Sequence, residues 1–434
     1  MTGTAIDASA VIARLENPPP RRARSLAAFA IAAAVFSLPL LRPLGPSNTG
    51  IPDAGLVLLV IITVQWASGR AYSLRTPYIV AMGLIVLGGA IPATITGEGG
   101  LTLAQDVFVY FWAIALASLG RDPQLFAIAV RTWVVTAVLG AALMLVGIFA
   151  GIPYLSGQNI AEGVRAGYTF GEPNYASNFF LTGLFLLRAA RYPRRPVWRW
   201  LCVGVLLVAL TYNGSNGAFL GLAIGTIAGA FFTRVKRRQI TAAILLAGSC
   251  LLVAGAGKLL IDTDAILAQV SKISPVAKDS IGRLTSSEGS RGEVTAQTTG
   301  MWLNDAPWYG IGPARTLGEM RRLLEPYPKE AHNDYIAALL ERGPLGALGV
   351  LTLMGSLAVR ARRVSARDAL KPEYERIIPR PELLAAMTGV MAFSGLFYEV
   401  LHYRHCWALF GVLAALEIWG RKPRQPGVLP GVLP

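Results

Sequence analysis

Long apolar runs recur along almost the whole chain, and no other feature of the sequence limits its fold so strongly. Runs of about 17 to 25 apolar residues are long enough to cross the roughly 30 Å hydrocarbon core of a bilayer as α-helices. The composition agrees, because 53% of the 434 residues are apolar and only 15% are charged, with a mean hydropathy of +0.49. Soluble domains are nearer a quarter charged. The sequence therefore predicts an integral membrane protein.

The runs predict an all-α polytopic fold with about twelve transmembrane helices. They are too uniformly apolar for membrane β-strands, which would alternate over about ten residues. The predicted spans are 25–41, 53–69, 77–95, 104–120, 127–151, 174–190, 197–213, 216–233, 239–260, 343–360, 384–401 and 403–420.

The distribution of Lys and Arg predicts the orientation of these spans. With the amino terminus in the cytoplasm, most of the 40 basic residues fall in the tails and loops of that side, as the positive-inside rule requires. Residues 1–24 and 421–434 then form cytoplasmic tails, 25–260 carry helices 1–9, and 343–420 carry helices 10–12. The net charge of +15 fits this topology and contact with anionic membrane lipids. Because the basic residues are spread over many loops, nucleic acid is not an expected partner.

One connection, 261–342, is far longer than the others and is predicted to be periplasmic. Long connections in compact proteins are usually functional or disordered. This one has helical periodicity from about Arg291 to Leu303 and contains several Trp and Tyr residues, so it is predicted to form a small helical cap over the membrane helices.

The end of this loop places a histidine at the membrane boundary. His332 and Asn333 lie at a predicted helix start, and after nine intervening residues Gly343 and Gly346 open the tenth span. Histidine ionises near neutral pH, so its imidazole is suited to act as a general base. The positive end of the helix dipole would oppose protonation of the ring and favour the neutral form.

Two other outer loops carry candidate substrate-binding residues. The loop at about 152–173 contains Arg165 and leads into Asn174, with Glu172 and Pro173 suited to begin a helix. The turn between spans 11 and 12 contains Glu399 and Arg404. It also holds the chain's two other histidines, His402 and His405, for which contact with acceptor or headgroups, or a plain interfacial role, is expected.

Neither these histidines nor the three cysteines have the number and spacing of ligands that a structural metal site requires. The expected metal and cofactor content is therefore none.

These motifs resemble those of the O-antigen ligase and O-antigen polymerase superfamily. His332-Asn333, nine residues, then Gly343-x-x-Gly346 is similar to its periplasmic histidine motif, and the segment at 290–313 is similar to its arginine segment, with Arg291 at the matching position. T-F-G-E-P-N-Y-A at 169–176 also resembles a family element. One departure is Asn216, which stands where the family commonly has a second arginine; Arg165 is a candidate substitute.

The resemblance implies a GT-C-like glycosyltransferase of the bacterial inner membrane. Such an enzyme moves a glycan from an undecaprenyl diphosphate carrier to a hydroxyl acceptor, without metal or nucleotide sugar. The implied roles are general base for His332 and stabilisation of the diphosphate leaving group for Arg291. Asn333, Asn174, Arg165, Glu399 and Arg404 are expected to bind substrate, and Gly343 and Gly346 are expected to be structural.

Two questions stay open at this level. The acceptor is lipid A core for a ligase and the growing glycan for a polymerase, and the sequence does not separate them. The alternative function is a transporter or flippase of lipid-linked glycans, which would need charged or broken segments in mid-membrane. The predicted spans contain almost none.

Overall fold

A computed structural model describes residues 21–42, 49–68, 74–158, 165–232, 293–325, 330–366 and 369–422. The predicted ninth span, Arg291 and the first 32 or so residues of the long loop lie outside these ranges. The described part is almost wholly helical, with one isolated bridge between Leu370 and Arg421 and no longer strand within these ranges.

Thirteen helices, apart from single turns, are numbered here over the described residues. The first eight cover the predicted spans 1 to 8 with small shifts at their ends. They are α1 (Arg21–Ser37), α2 (Ile51–Ser68), α3 (Ile79–Thr96), α4 (Gly100–Leu119), α5 (Pro123–Phe149), α6 (Pro173–Ala190), α7 (Pro196–Asn213) and α8 (Asn216–Phe232). Three of them begin at proline, which suits the first helical turn because its missing N–H would be unpaired there anyway.

The remaining helices follow the first residues of the long loop. They are α9 (293–304), α10 (Thr316–Arg322), α11 (Asp334–Val364), α12 (Pro381–Ser394) and α13 (Arg404–Ala415, extended by a π-helical turn at Leu416–Gly420). The predicted helical periodicity near 291–303 is therefore confirmed over its described part. Two expected boundaries differ: α11 begins nine residues before the predicted tenth span, and α12 ends at Ser394, not near 401.

Five of these helices are long and apolar enough to cross a membrane, and four shorter ones are also apolar, within the described ranges. The five are α3, α4, α5, α7 and α11; the four are α1, α2, α8 and α12. The polytopic character is confirmed. The number twelve and the periplasmic cap stay predictions.

Contacts between helix ends gather the predicted outer loops at one end of the bundle. Arg404 at the start of α13 pairs with Asp53 at the start of α2, and the N–H of Arg42 after α1 donates to the carbonyl of Thr169 before α6. At the opposite end, Arg24 pairs with Asp122. Which end faces the periplasm stays a prediction from the charge bias.

A small hydrophobic cluster joins α9 and α10 to the bundle. Val294 and Met301 of α9 pack with Met320 of α10 and with Ile311 between them. Leu340 of α11 completes the cluster and is fully buried. The segment after residue 293 is thus fixed to the first turns of α11, the helix that begins beside His332.

Candidate functional site

The start of α11 holds His332 at the surface. Asn333 is the N-cap: its Oδ1 accepts hydrogen bonds from the N–H groups of Tyr335 and Ile336 at 3.0 and 3.1 Å, and its Nδ2 donates to the carbonyl of Leu396 at 3.1 Å. His332, one residue earlier, has a left-handed backbone (φ 49°). Its side chain is exposed, whereas Ala331 and Asn333 on either side are buried. The Asn333 N-cap therefore fixes the backbone from which the His332 imidazole projects to the surface.

Glu399 lies beside His332. Its carboxylate accepts a hydrogen bond from the backbone N–H of His332, and an oxygen of Glu399 is 3.8 Å from Nε2 of His402. Burial, with the nearby carboxylates of Glu341 and Asp334, raises the pKa of Glu399 well above its usual value. The predicted substrate-binding residues Asn333 and Glu399 are thus brought together at the histidine.

Asp334 fixes this arrangement, a role that was not predicted from the sequence. Its carboxylate accepts from the N–H groups of Val400 at 3.0 Å and Leu401 at 3.4 Å, while its own N–H donates to the carbonyl of Gly395 at 2.8 Å. The segment 395–401 is therefore a turn capped by Asp334 and not the last turns of α12. The only sequence signal was an acidic residue in the first turn of a helix, a common feature.

The two glycines of the histidine motif have separate structural roles. At Gly343, α11 is kinked, with φ 64° and ψ −168°, a conformation essentially reserved for glycine. A Cβ there would lie 2.8 Å from the backbone of Tyr309. Gly346 crosses α3 closely, since a Cβ on Gly88 would lie 2.5 Å from the Gly346 nitrogen. The expected structural role of both glycines is consistent with this geometry.

The turn at 308–312, which closes the arginine segment, docks directly onto this kink. The N–H groups of Ile311 and Gly312 donate to the carbonyls of Leu340 and Glu341, each at 2.9 Å. The Glu341 carboxylate accepts from the Ala314 N–H at 2.9 Å and from the Thr316 hydroxyl at 2.6 Å. The two segments that carried the strongest resemblance are therefore in contact. Arg291, at the head of the first, lies outside the described residues.

A buried ion pair lies under the site. Arg342 pairs with Asp106 of α4 at 2.7 Å, and both side chains are largely buried. They line a small cavity together with Asp334, Glu341 and His402. This pair could not be predicted from the sequence, because Asp106 is one polar residue near the start of an apolar run and its partner is distant in the chain.

Arg165 and Asn174 meet at a different place, the turn between α7 and α8. Arg165 Nε donates to the carbonyl of Asn213 at 2.9 Å, and its Nη2 donates to Oδ1 of Asn174 at 2.9 Å. The Ser215 hydroxyl donates to the same Asn174 oxygen at 2.9 Å. The guanidinium of Arg165 therefore lies beside the turn that leads into Asn216.

Arg404 and His405 are held by the protein itself. Arg404 makes a two-point contact with Asp53, with both N···O distances 2.7 Å. His405 is buried, and its Nε2 is 2.9 Å from Oδ1 of Asn178. The part of the chain that the structure describes contains no group of three or more His, Cys, Asp or Glu side chains suited to a metal ion.

Part of the chain matches a known protein family. Residues 200–351 match the family model described as O-antigen ligase. The resemblance to the O-antigen ligase and polymerase superfamily is thereby confirmed. A search of curated proteins finds no match to the chain.

The O-antigen ligase region runs from α7 to the middle of α11. It includes Asn216, α9, α10, His332 and both motif glycines, and it ends five residues beyond Gly346. Arg165, Asn174, Glu399 and Arg404 lie outside it. The match implies a multi-pass bacterial membrane protein that transfers glycans in O-antigen or related polysaccharide biosynthesis. The particular roles of the site residues remain proposals.

Proposed function

We propose that this protein transfers a glycan from an undecaprenyl diphosphate carrier to a hydroxyl acceptor on the periplasmic face of the inner membrane. The observation that carries the proposal is the exposed imidazole of His332, held at the start of α11 inside the O-antigen ligase region. The acceptor is lipid A core in a ligase and the growing glycan in a polymerase.

His332 is proposed as the general base. The acceptor oxygen attacks the anomeric carbon of the glycan, its proton moves to the neutral imidazole, and the bond from that carbon to the carrier diphosphate breaks. A base that ionises near neutral pH is suited to this task. The Asn333 cap and the hydrogen bond from the His332 N–H to Glu399 support the role, because they fix the backbone from which the ring projects.

Arg291 is proposed to stabilise the leaving diphosphate. A guanidinium is permanently charged and binds phosphate oxygens at two points, so it can neutralise charge where it develops in the transition state. The docking of the 308–312 turn onto the kink at Gly343 supports this role, since it fixes the far end of the arginine segment to the helix that begins beside His332. No metal is required on this proposal.

The other candidate residues are proposed to act in different ways. Arg165 lies beside the turn before Asn216, so it can serve the diphosphate where the family commonly has a second arginine. Asn174 orients Arg165. Glu399 borders His332 and is proposed to contact the acceptor, whereas Asn333 is proposed to act indirectly, as the buried N-cap that fixes the start of α11. Arg404 is proposed to act indirectly, by holding its loop through Asp53.

The direct test uses purified protein in nanodiscs with a lipid-linked glycan donor and an acceptor glycolipid. Formation of the joined glycan together with free undecaprenyl diphosphate, undiminished by EDTA, is the expected result. Movement of the donor across the membrane without a new glycosidic bond would contradict the proposal and favour the transporter alternative. In a deletion strain, unattached long lipid-linked chains indicate a ligase, and single capped units indicate a polymerase.

A further inference from the structure

Four arginines converge on one cavity at the opposite end of the bundle from His332. Arg188 lies in the last turn of α6, Arg191 ends that helix, Arg199 is in the first turn of α7, and Arg380 precedes α12. Together with Trp200 they line a single open cavity between these three helices. We call these four residues and Trp200 the arginine basin.

Contacts at the helix ends hold the basin together. The N–H of Arg380 donates to the carbonyl of Ala189 at 3.1 Å, which ties the start of α12 to the end of α6. Nη1 of Arg199 donates to the carbonyl of Arg191 at 3.5 Å. The guanidinium of Arg188 lies over the Trp200 ring, 4.7 Å from its centre. The helix ends therefore bring the four arginines to one cavity, and side-chain contacts position Arg188 and Arg199 in it.

The basin carries an excess of positive charge. Arg188 is close enough to interact electrostatically with Arg380, Arg199 and Arg191, and like charges at this range repel. Glu382 interacts with Arg380 and Arg191 and offsets part of that repulsion. Within the described residues, Glu382 is the carboxylate that faces these four guanidinium groups, so the basin is suited to an additional anion.

The surroundings of the basin indicate a lipid headgroup and not a soluble anion. Val197, Trp198 and Trp200 at the start of α7 are 76, 53 and 58% exposed, and tryptophan is enriched where membrane meets water. The positive-inside rule alone needs only solvated charges in loops. Here the charges lie between helices, next to apolar side chains left uncovered, and basic pockets of this kind bind phosphate-bearing lipid headgroups.

We propose that the arginine basin binds the phosphate of an anionic phospholipid in the leaflet at the cytoplasmic end of the bundle. Guanidinium groups suit this ligand because they meet phosphate oxygens at two points. The acyl chains would lie along the exposed apolar start of α7. This site is separate from the proposed glycan-transfer site and does not depend on that proposal.

The test measures the thermal midpoint of the purified full-length protein in detergent as phospholipid is added. Phosphatidylglycerol should raise the midpoint, whereas phosphatidylcholine and millimolar inorganic phosphate should not. Each basic residue near a charged membrane surface contributes about 1 kcal/mol. The double variant Arg188→Gln/Arg380→Gln should therefore bind phosphatidylglycerol about thirty-fold more weakly, about 2 kcal/mol at 1.4 kcal/mol per tenfold. Arg199→Gln alone should bind it about five-fold more weakly.

The matched control is Arg195→Gln/Arg362→Gln, which removes two exposed arginines from the same end of the bundle, outside the basin. With phosphatidylglycerol, its thermal midpoint should rise as much as that of the unmodified protein. Because the basin arginines repel one another, Arg188→Gln/Arg380→Gln should not lower the midpoint in lipid-free detergent. A lowered midpoint there would assign the arginines a structural role and overturn the proposal. An equal rise of the midpoint with phosphatidylcholine or inorganic phosphate would also overturn the proposal. An unchanged response of the double variant to phosphatidylglycerol would overturn it as well.

Discussion

Replacing Gly343 by alanine should strongly destabilise the protein. A non-glycine residue with φ 64° and ψ −168° is strained by about 1–3 kcal/mol. The new Cβ would also lie 2.8 Å from the carbonyl carbon and oxygen of Tyr309. These are backbone atoms that cannot rotate away, so the 308–312 turn must move; overpacking of this kind costs about 1–3 kcal/mol more. The expected loss is therefore about 2–6 kcal/mol.

Gly355 provides the matched control in the same helix. Its backbone is helical, and a Cβ added there meets nothing within 4 Å, so Gly355→Ala should stabilise α11 by about 0.5–1 kcal/mol. The assay is the thermal midpoint of both purified variants in one detergent. The midpoints should move in opposite directions. If Gly343→Ala unfolds at the same temperature as the unmodified protein, the close packing of the turn on the kink is wrong.

Three further predictions concern residues near the outer loops. Arg404→Met should cost about 3–5 kcal/mol by leaving Asp53 buried without its partner, and adding Asp53→Leu should recover most of the thermal midpoint; no recovery would mean that Arg404 does not act through Asp53. Because burial raises the pKa of Glu399, its ionisation lowers stability as pH rises above the ordinary carboxyl range. The thermal midpoint of Glu399→Gln should therefore rise relative to that of the unmodified protein as pH is raised. A difference that grows as pH is lowered would contradict the raised pKa of Glu399. Arg165→Lys should lower the midpoint by losing one of the two contacts that the fork makes to Asn213 and Asn174, and an unchanged midpoint would refute a role in fixing that turn.

Much of the helix layout was predictable because the length of an apolar run measures whether it can cross a membrane. Eleven of the twelve predicted spans coincide with a described helix, and the ninth lies outside the described residues. The boundaries were less accurate. The end of α12 was placed too late, since the apolar residues after Ser394 continue the run although Asp334 holds their N–H groups in a turn.

The site residues that lie close together in the chain could be predicted. His332 and Asn333 lie at the start of α11 and the two glycines lie within the same helix, so their spacing could be read directly. The partners that fix them could not, because pairs such as Asp106 with Arg342 form only when distant helices pack. Asp53 was likewise hidden, since a single acidic residue at the start of an apolar run gives no sign of its partner Arg404.

The most direct test of the proposed transferase is the rate of His332→Asn. Asparagine tolerates the left-handed backbone at this position, so the change removes the base with little strain. His402→Asn is the matched control, the same substitution at another exposed histidine of this end. His332→Asn should keep the midpoint and donor binding of the unmodified protein and lose at least about a hundred-fold in glycan transfer, while His402→Asn retains most of its rate. A His332→Asn rate above about a tenth of the unmodified rate would contradict general-base catalysis by His332.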